Sequence, residues 1–192
     1  MANRLTKIVT RTGDDGTTGL GDGSRVGKDC LRVEVMGNLD ELNSAVGLVL
    51  AEPLPDEVGE ALAAVQNDLF DLGADLATPP GGPYEARVPR LVAAQVERLD
   101  QAVESTAARL VPLRSFVLPA GSRAAVHLHL ARTVVRRAER DLVSAIRAQP
   151  ERAFNPDCLR YLNRLSDACF AWARSANDDG RADVAWVPSA NR

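Results

Sequence analysis

Four residues in one stretch, Arg132, Arg136, Glu139 and Arg140, pose the first chemical question. They lie in residues 122–140, SRAAVHLHLARTVVRRAER, which contain no Gly or Pro and are rich in helix formers, so the stretch reads as a helix. At about 100° per residue the four fall within roughly a 100° sector. Val134, Val135, Ala138 and Leu142 point mostly the other way, toward a core. Three guanidiniums and a carboxylate therefore share one stripe. Guanidinium forks match phosphate oxygens, and Glu139 can hold a fork in place. A solvated face laced with ion pairs is the commoner fate of an Arg-rich helix taken alone.

A second candidate lies at the front of the chain. Residues 10–23, TRTGDDGTTGLGDG, set five glycines among Thr and Asp. Such a stretch turns tightly and exposes backbone N–H groups and hydroxyls, chemistry that can cradle phosphates. Lys28 lies just beyond and adds a point charge. The GxxxxGK[ST] pattern is absent, so this is no Walker A loop, and Asp14 and Asp15 lack EF-hand spacing. Composition alone favours a floppy leader over a phosphate loop.

Other chemistries find little support. His127 and His129 diverge by about 200° on a helix and cannot share a metal, so packing is their expected role. No Ser-His-Asp or HExxH set stands out. Cys30, Cys158 and Cys169 form no CxxC pair, which indicates neither zinc nor a disulfide framework. The 192 residues carry a net charge of −3, which argues against general nucleic-acid binding. No apolar run reaches the ~18–20 residues of a membrane span, and the N-terminus lacks a signal-peptide core. A cytoplasmic protein with free thiols is the expectation.

The elements that must position these residues follow from the apolar pattern. Hydrophobic residues make up 45% and aromatics 4%, so Leu, Val and Ala must fill the core of a single domain over 1–192. The spacing predicts a non-helical leader over 1–30 and a helix from near Asn38 carrying Leu39, Leu42, Val46, Val49 and Leu50. It ends before Pro53 and Pro55. A second helix fits 56–77, with Val58, Leu62, Val65, Leu69, Leu72 and Leu76 inward. The breaker at 78–83, TPPGGP, opens a surface loop. A third helix runs over about 89–109, with Leu91, Val92, Val96, Leu99 and Val103 as its stripe. Residues 110–121 hold two prolines and read as extended chain; Phe116, one of four phenylalanines, sits there. Ser122 caps the fourth helix, which ends near Gln149, and Asn155-Pro156 opens the fifth. Asn163 and Asp167 lie four apart off its buried face. The tail, 178–192, is expected to be poorly ordered. The result is an all-α, five-helix up-and-down bundle over about 38–177.

Taken together, the motifs TRTGDDG (10–16), GNLDELN (37–43), FVLP (116–119), ARTVVRRAER (131–140) and LNRLSD (162–167) resemble those of the PduO-type ATP:corrinoid adenosyltransferases. The resemblance spans about 8–177. It implies a five-helix bundle, matching the count above, and homotrimers with active sites between subunits. It implies that cob(I)alamin or a related corrinoid attacks the 5′ carbon of ATP, releasing triphosphate and forming adenosylcobalamin. The ATP site would fall on Thr10, Arg11, Thr12, Gly13, Thr18, Gly19, Lys28, Arg136, Arg137, Ala138, Glu139, Arg140 and Asn163. Mg²⁺ would be carried by the phosphates, with no metal ligand assigned to the protein.

Arg136 would stabilise the leaving triphosphate. Asp40 and Arg132 match a pair that bonds across the subunit boundary, and Phe116 matches the ring that displaces the lower axial ligand of cobalt. Asp167 matches a polar position near the site. A corrinoid reductase or an adenosylcobalamin-dependent mutase are the further partners it allows. Two departures stand out: Ala120-Gly121 replaces a frequent Gly pair, and Gly19 stands where some relatives carry a hydroxyl. An ATP-binding regulatory bundle and a helical scaffold are the competing readings. Phe116 together with the Asp40/Arg132 pair favours the enzyme.

Overall fold

The computed structural model describes residues 9–82, 84–149 and 154–190. Helical period dominates: α1 spans Leu31–Leu50, α2 Asp56–Ala77, α3 Ala93–Ala107, α4 Arg123–Ala148 and α5 Pro156–Ser175. A small antiparallel hairpin precedes them, with β1 (Thr17–Gly19) paired to β2 (Arg25–Gly27) and Thr18 opposite Val26. Start signals act where expected. Ser122 Oγ accepts from the Ala125 N–H at 3.1 Å, and Asn155 Oδ1 accepts from Asp157 at 3.0 Å with Pro156 in the first turn.

The bundle is up-and-down, and its side-chain pairs show how the helices run. Arg32 Nη1 donates to the Leu76 carbonyl at 2.7 Å and Asn43 to that of Gln66 at 3.2 Å, which sets α1 antiparallel to α2. Asn38 reaches Asp141 at 2.7 Å while Arg123 pairs with Glu52 at 2.9 Å, so α1 is antiparallel to α4. Asn163 bonds Glu139 at 2.9 Å and joins α5 to α4. The ion pair Arg164–Asp100 and the Asn155 bond to the Leu91 carbonyl align α5 parallel to α3.

Within this ring lie Leu42, Val46, Leu62, Leu72, Leu128, Val135, Leu142, Leu162, Leu165 and Trp172, all fully buried. Each such side chain contributes roughly 2 kcal/mol of burial. All six stripe residues expected on α2 are buried, as are the four expected on α4. Two buried carboxylates tie the helices together. Asp68 accepts from Tyr161 Oη at 2.8 Å and Gln95 Nε2 at 2.8 Å and pairs with Arg98. Asp75 takes Arg90, the Leu91 N–H and Asn155 at 2.7, 3.1 and 2.7 Å.

Four expectations need correction. First, α1 begins seven residues before Asn38, because Arg32 and Val35 are buried against the bundle and extend it. Second, α3 begins at Ala93 rather than near Pro89, because Asp75 holds Arg90 and Leu91 in a non-helical run; Val92 is exposed. Third, the leader is a folded hairpin. Leu20 is buried, and the Gly21 N–H bonds the Ala77 carbonyl at 2.6 Å, which docks the leader on the C-terminal end of α2. Fourth, residues 178–190 of the tail are tied down. Val111 N–H bonds the Asp179 carbonyl at 3.0 Å, the Leu118 N–H bonds Val184 at 2.9 Å, and Trp186 N–H bonds Phe116 at 2.8 Å. Arg174 and Asp183, both nearly buried, pair at 2.7 Å.

Candidate functional site

The leader folds into a hollow of about 310 Å³ lined by Thr10, Arg11, Thr12, Gly13, Thr18, Gly19 and Lys28, with Asp14, Thr17 and Arg25 completing it. Its shape comes from a few local interactions. Lys28 Nζ donates to the Gly13 carbonyl at 2.8 Å, closing the loop, and the Lys28 N–H bonds the Gly16 carbonyl at 2.9 Å. Gly16 holds φ +80°, a left-handed turn that L side chains resist. A Cβ at position 13 would meet both Lys28 Nζ and the Thr17 carbonyl at 3.0 Å, so glycine lets the lysine close over the loop. Asp15 accepts from the backbone and hydroxyl of Thr17, which holds its carboxyl below the usual range. Arg25 bonds the Thr12 carbonyl at 2.7 Å as well as Thr17. Sequence reasoning missed Arg25; its signal was a second cation three residues before Lys28. The hollow thus presents Thr hydroxyls and three cations, Arg11, Arg25 and Lys28, the donors a polyphosphate needs.

A second hollow, about 490 Å³, lies along α4 and α5 and is lined by Arg136, Glu139, Arg140, Val143, Ser144, Arg147 and Asn163. Glu139 is fixed by Asn163 at 2.9 Å, and Arg140 Nη1 donates to the Arg136 carbonyl at 3.1 Å. Arg136 is exposed, and its side chain has no hydrogen bond or ion pair among the described residues. Arg137 faces away from this hollow, toward α1: its Nε donates to Asn38 at 3.2 Å and it pairs with Glu41. Ala138 is fully buried in the core, so its methyl is packing rather than a ligand contact. Asp167 sits beside Arg164 at 2.7 Å.

Asp40 lies on a different face, in a groove between α1 and α2 with Asn43, Gln66, Asn67 and the exposed Phe70. Its carboxylate has no partner among the described residues. Arg132 lies on α4 near Cys169 of α5, and its charge opposes ionised His129 and favours ionised Cys169. Its Nε is buried without a partner. The two residues expected to pair are therefore not paired in one chain. Phe116 is 78% exposed on the segment between α3 and α4, its ring edge-on to Trp186 at 6.0 Å. Trp186 belongs to the tail, which sequence reasoning left unstructured.

Three further titratable groups, Cys158, Tyr161 and Cys169, are fully buried. Burial drives the Cys169 thiol up to about 12 and pushes Cys158 and Tyr161 up further. Among the described residues no group of three or more His, Cys, Asp or Glu could hold a metal. Among the described residues no helix is long and apolar enough to cross a membrane.

Similarity to known proteins points the same way. The family model for cobalamin adenosyltransferase matches residues 8–176. The chain is 51% identical to a cobalamin adenosyltransferase of Cupriavidus metallidurans, over 97% of both chains. It is 47% identical to the corrinoid adenosyltransferase of Mycobacterium tuberculosis, over 100% of this chain and 98% of the other. A variant of the PduO-type ATP:corrinoid adenosyltransferase from Lactobacillus reuteri, solved in complex with cobalamin and ATP, superposes with a TM-score of 0.85. It is 34% identical, over 95% of this chain and 97% of that one. With matching helices, a donor-lined leader and an unpartnered arginine on α4, this chain belongs to the cobalamin adenosyltransferase family.

Proposed function

We propose that this chain, an ATP:corrinoid adenosyltransferase, performs its reaction in a site that two copies complete. One copy contributes the leader and Asp40, and the next contributes Arg132, Arg136, Glu139, Arg140 and Asn163. The observation that carries this reading is a division within the chain. The phosphate-binding candidates line two different hollows, and Asp40 and Arg132 lie on different faces, the Asp40 carboxylate and the buried Arg132 Nε having no partner among the described residues. A face that meets a different face of the next copy closes into a ring when the rotation permits, and a homotrimer is the ring proposed here.

In that site the reaction follows from charge and position. The leader's N–H groups and Thr hydroxyls bind the triphosphate, with Lys28 closing over it. Co(I) supplies the electron pair that attacks C5′ of ATP. The cobalt–carbon bond forms as the C5′–oxygen bond breaks, and that bond's electrons leave on triphosphate. Charge grows on the departing oxygen, where the Arg136 guanidinium counts most. The metal is the nucleophile, so no protein base is required. The site's main task is then to hold C5′ in line with cobalt.

Mg²⁺ would neutralise charge on the phosphates. The ion would be held by phosphate oxygens, beside the Thr hydroxyls that line the leader hollow. Phe116 offers the corrin face an apolar ring without a lone pair, which favours loss of the lower axial ligand. A reductase that delivers Co(I) and a mutase that consumes the product are the complementary partners, and the cytoplasm is the proposed compartment.

Mixing the protein with ATP, Mg²⁺ and chemically reduced cobalamin tests the reading. The light-sensitive spectrum of adenosylcobalamin is expected. ATP binding with no spectral change would favour a regulatory bundle instead.

A further inference from the structure

We infer that His129 is a positioning residue for Arg132: when copies assemble, an imidazole nitrogen that is unpartnered in the single chain accepts a hydrogen bond from the guanidinium, so that the fork can face a carboxylate supplied by the neighbouring copy. This rests on the reading of Asp40 and Arg132 given above. His129 is 2% exposed, yet neither ring nitrogen has a partner among the described residues. Its ring lies tilted against that of Phe170, at 6.1 Å between ring centroids. An imidazole buried only for packing leaves both nitrogens unsatisfied, which is costly; a Leu or Phe would fill the space without that cost.

The unmet need nearby is complementary. Arg132 follows His129 by one helical turn on α4, and residues three apart on a helix are neighbours. Its Nε is also buried without a partner. A guanidinium has only donors to offer, whereas a neutral imidazole always keeps one nitrogen free to accept. His129 is held in that neutral form: burial first, then the charge of Arg132, lowers its pKa from the ordinary 6.5. Asp183 from the tail opposes the shift without reversing it. An accepted N–H at one edge of the guanidinium would leave its other edge free for a carboxylate. That division of labour suits a planar fork and would not suit a lysine.

A double-mutant cycle tests this. The kcat/KM for ATP, with chemically reduced cobalamin, is measured for the native protein, His129→Leu, Arg132→Gln and the double variant, together with melting temperatures. The expected result is a loss of about tenfold for His129→Leu in the native background and of less than roughly twofold in the Arg132→Gln background. His129→Gln, whose carbonyl can accept the same N–H, should recover most of the loss. If the leucine variant fails to fold, His129→Met repeats the cycle at similar volume. Equal losses in both backgrounds would overturn the proposal and leave Arg132's own role standing. A lower melting temperature with unchanged kcat/KM would also overturn it. An Arg132→Gln variant that kept the native kcat/KM would remove the reading of Arg132 and this proposal with it.

Discussion

Replacing Arg136 with alanine separates binding chemistry from folding. The side chain is exposed on α4 and has no hydrogen bond or ion pair among the described residues, so its loss should change stability by no more than about 0.5 kcal/mol. Its proposed partner is the triphosphate. A hydrogen bond to a charged group contributes about 1.5–3 kcal/mol, and each 1.36 kcal/mol is about tenfold in rate. A donor aimed at charge that grows in the transition state reaches about 10²–10³ in kcat. The Arg136→Ala variant should therefore lose about a hundredfold or more in turnover at saturating ATP while its melting temperature stays near the native value. Initial rates of adenosylcobalamin formation from reduced cobalamin measure this directly. Arg147 provides the comparison, since it is exposed in the last turn of α4 at the far end of the same hollow. Arg147→Ala should cost far less. Equal losses in the two variants would refute the role given to Arg136, as would a loss of rate that merely tracks a fall in melting temperature.

Two further substitutions test the frame and the corrin face. Asp68→Ala leaves Tyr161, Gln95 and Arg98 without their shared acceptor inside the bundle, a cost of about 3 kcal/mol. For a chain of this length that is a drop of roughly 6–12 °C in melting temperature by calorimetry; a shift under about 2 °C would mean the cluster carries little of the stability. Phe116→Ala should leave the melting temperature nearly unchanged, because the ring is mostly exposed. It should slow adenosylation far more when the corrinoid is supplied as Co(II) with a reductase than when it is supplied as Co(I). Equal slowing in both assays would contradict a role in displacing the axial ligand.

What the sequence could reveal depended on the range of the forces involved. The boundaries of α2, α4 and α5 were readable because caps, prolines and apolar stripes are local signals: Ser122 and Asn155 cap where their side chains suggest. The first two turns of α1, LRVEVMG, were hidden because Val33, Val35 and Gly37 are poor helix formers, and burial of Arg32 and Val35 overrides that preference. The hydrogen bonds of Asp75 to Arg90 and Leu91, and those of the tail to Val111, Phe116 and Leu118, join distant parts of the chain, so no local pattern could announce them. At the site, helical spacing set Arg136, Glu139 and Arg140 on one stripe, whereas composition alone favoured a floppy leader, and only the resemblance joined the two as an ATP site. Arg137 and Ala138 were assigned as neighbours in a motif, yet consecutive helical residues point in different directions, and these two face α1 and the core. Arg25 escaped notice because its position over Thr12 and Thr17 depends on the hairpin that brings them together.

The claim that two copies share each site can be tested by mixing two defective proteins. Asp40→Ala and Arg132→Ala should each be nearly inactive, since every shared site in either preparation lacks one partner. In trimers co-assembled at random from equal amounts, about one quarter of the sites unite a native Asp40 with a native Arg132 from the adjacent copy. The co-assembled sample should therefore recover about a quarter of native turnover. Activity no higher than the average of the two separate variants would contradict a site built across the boundary between copies.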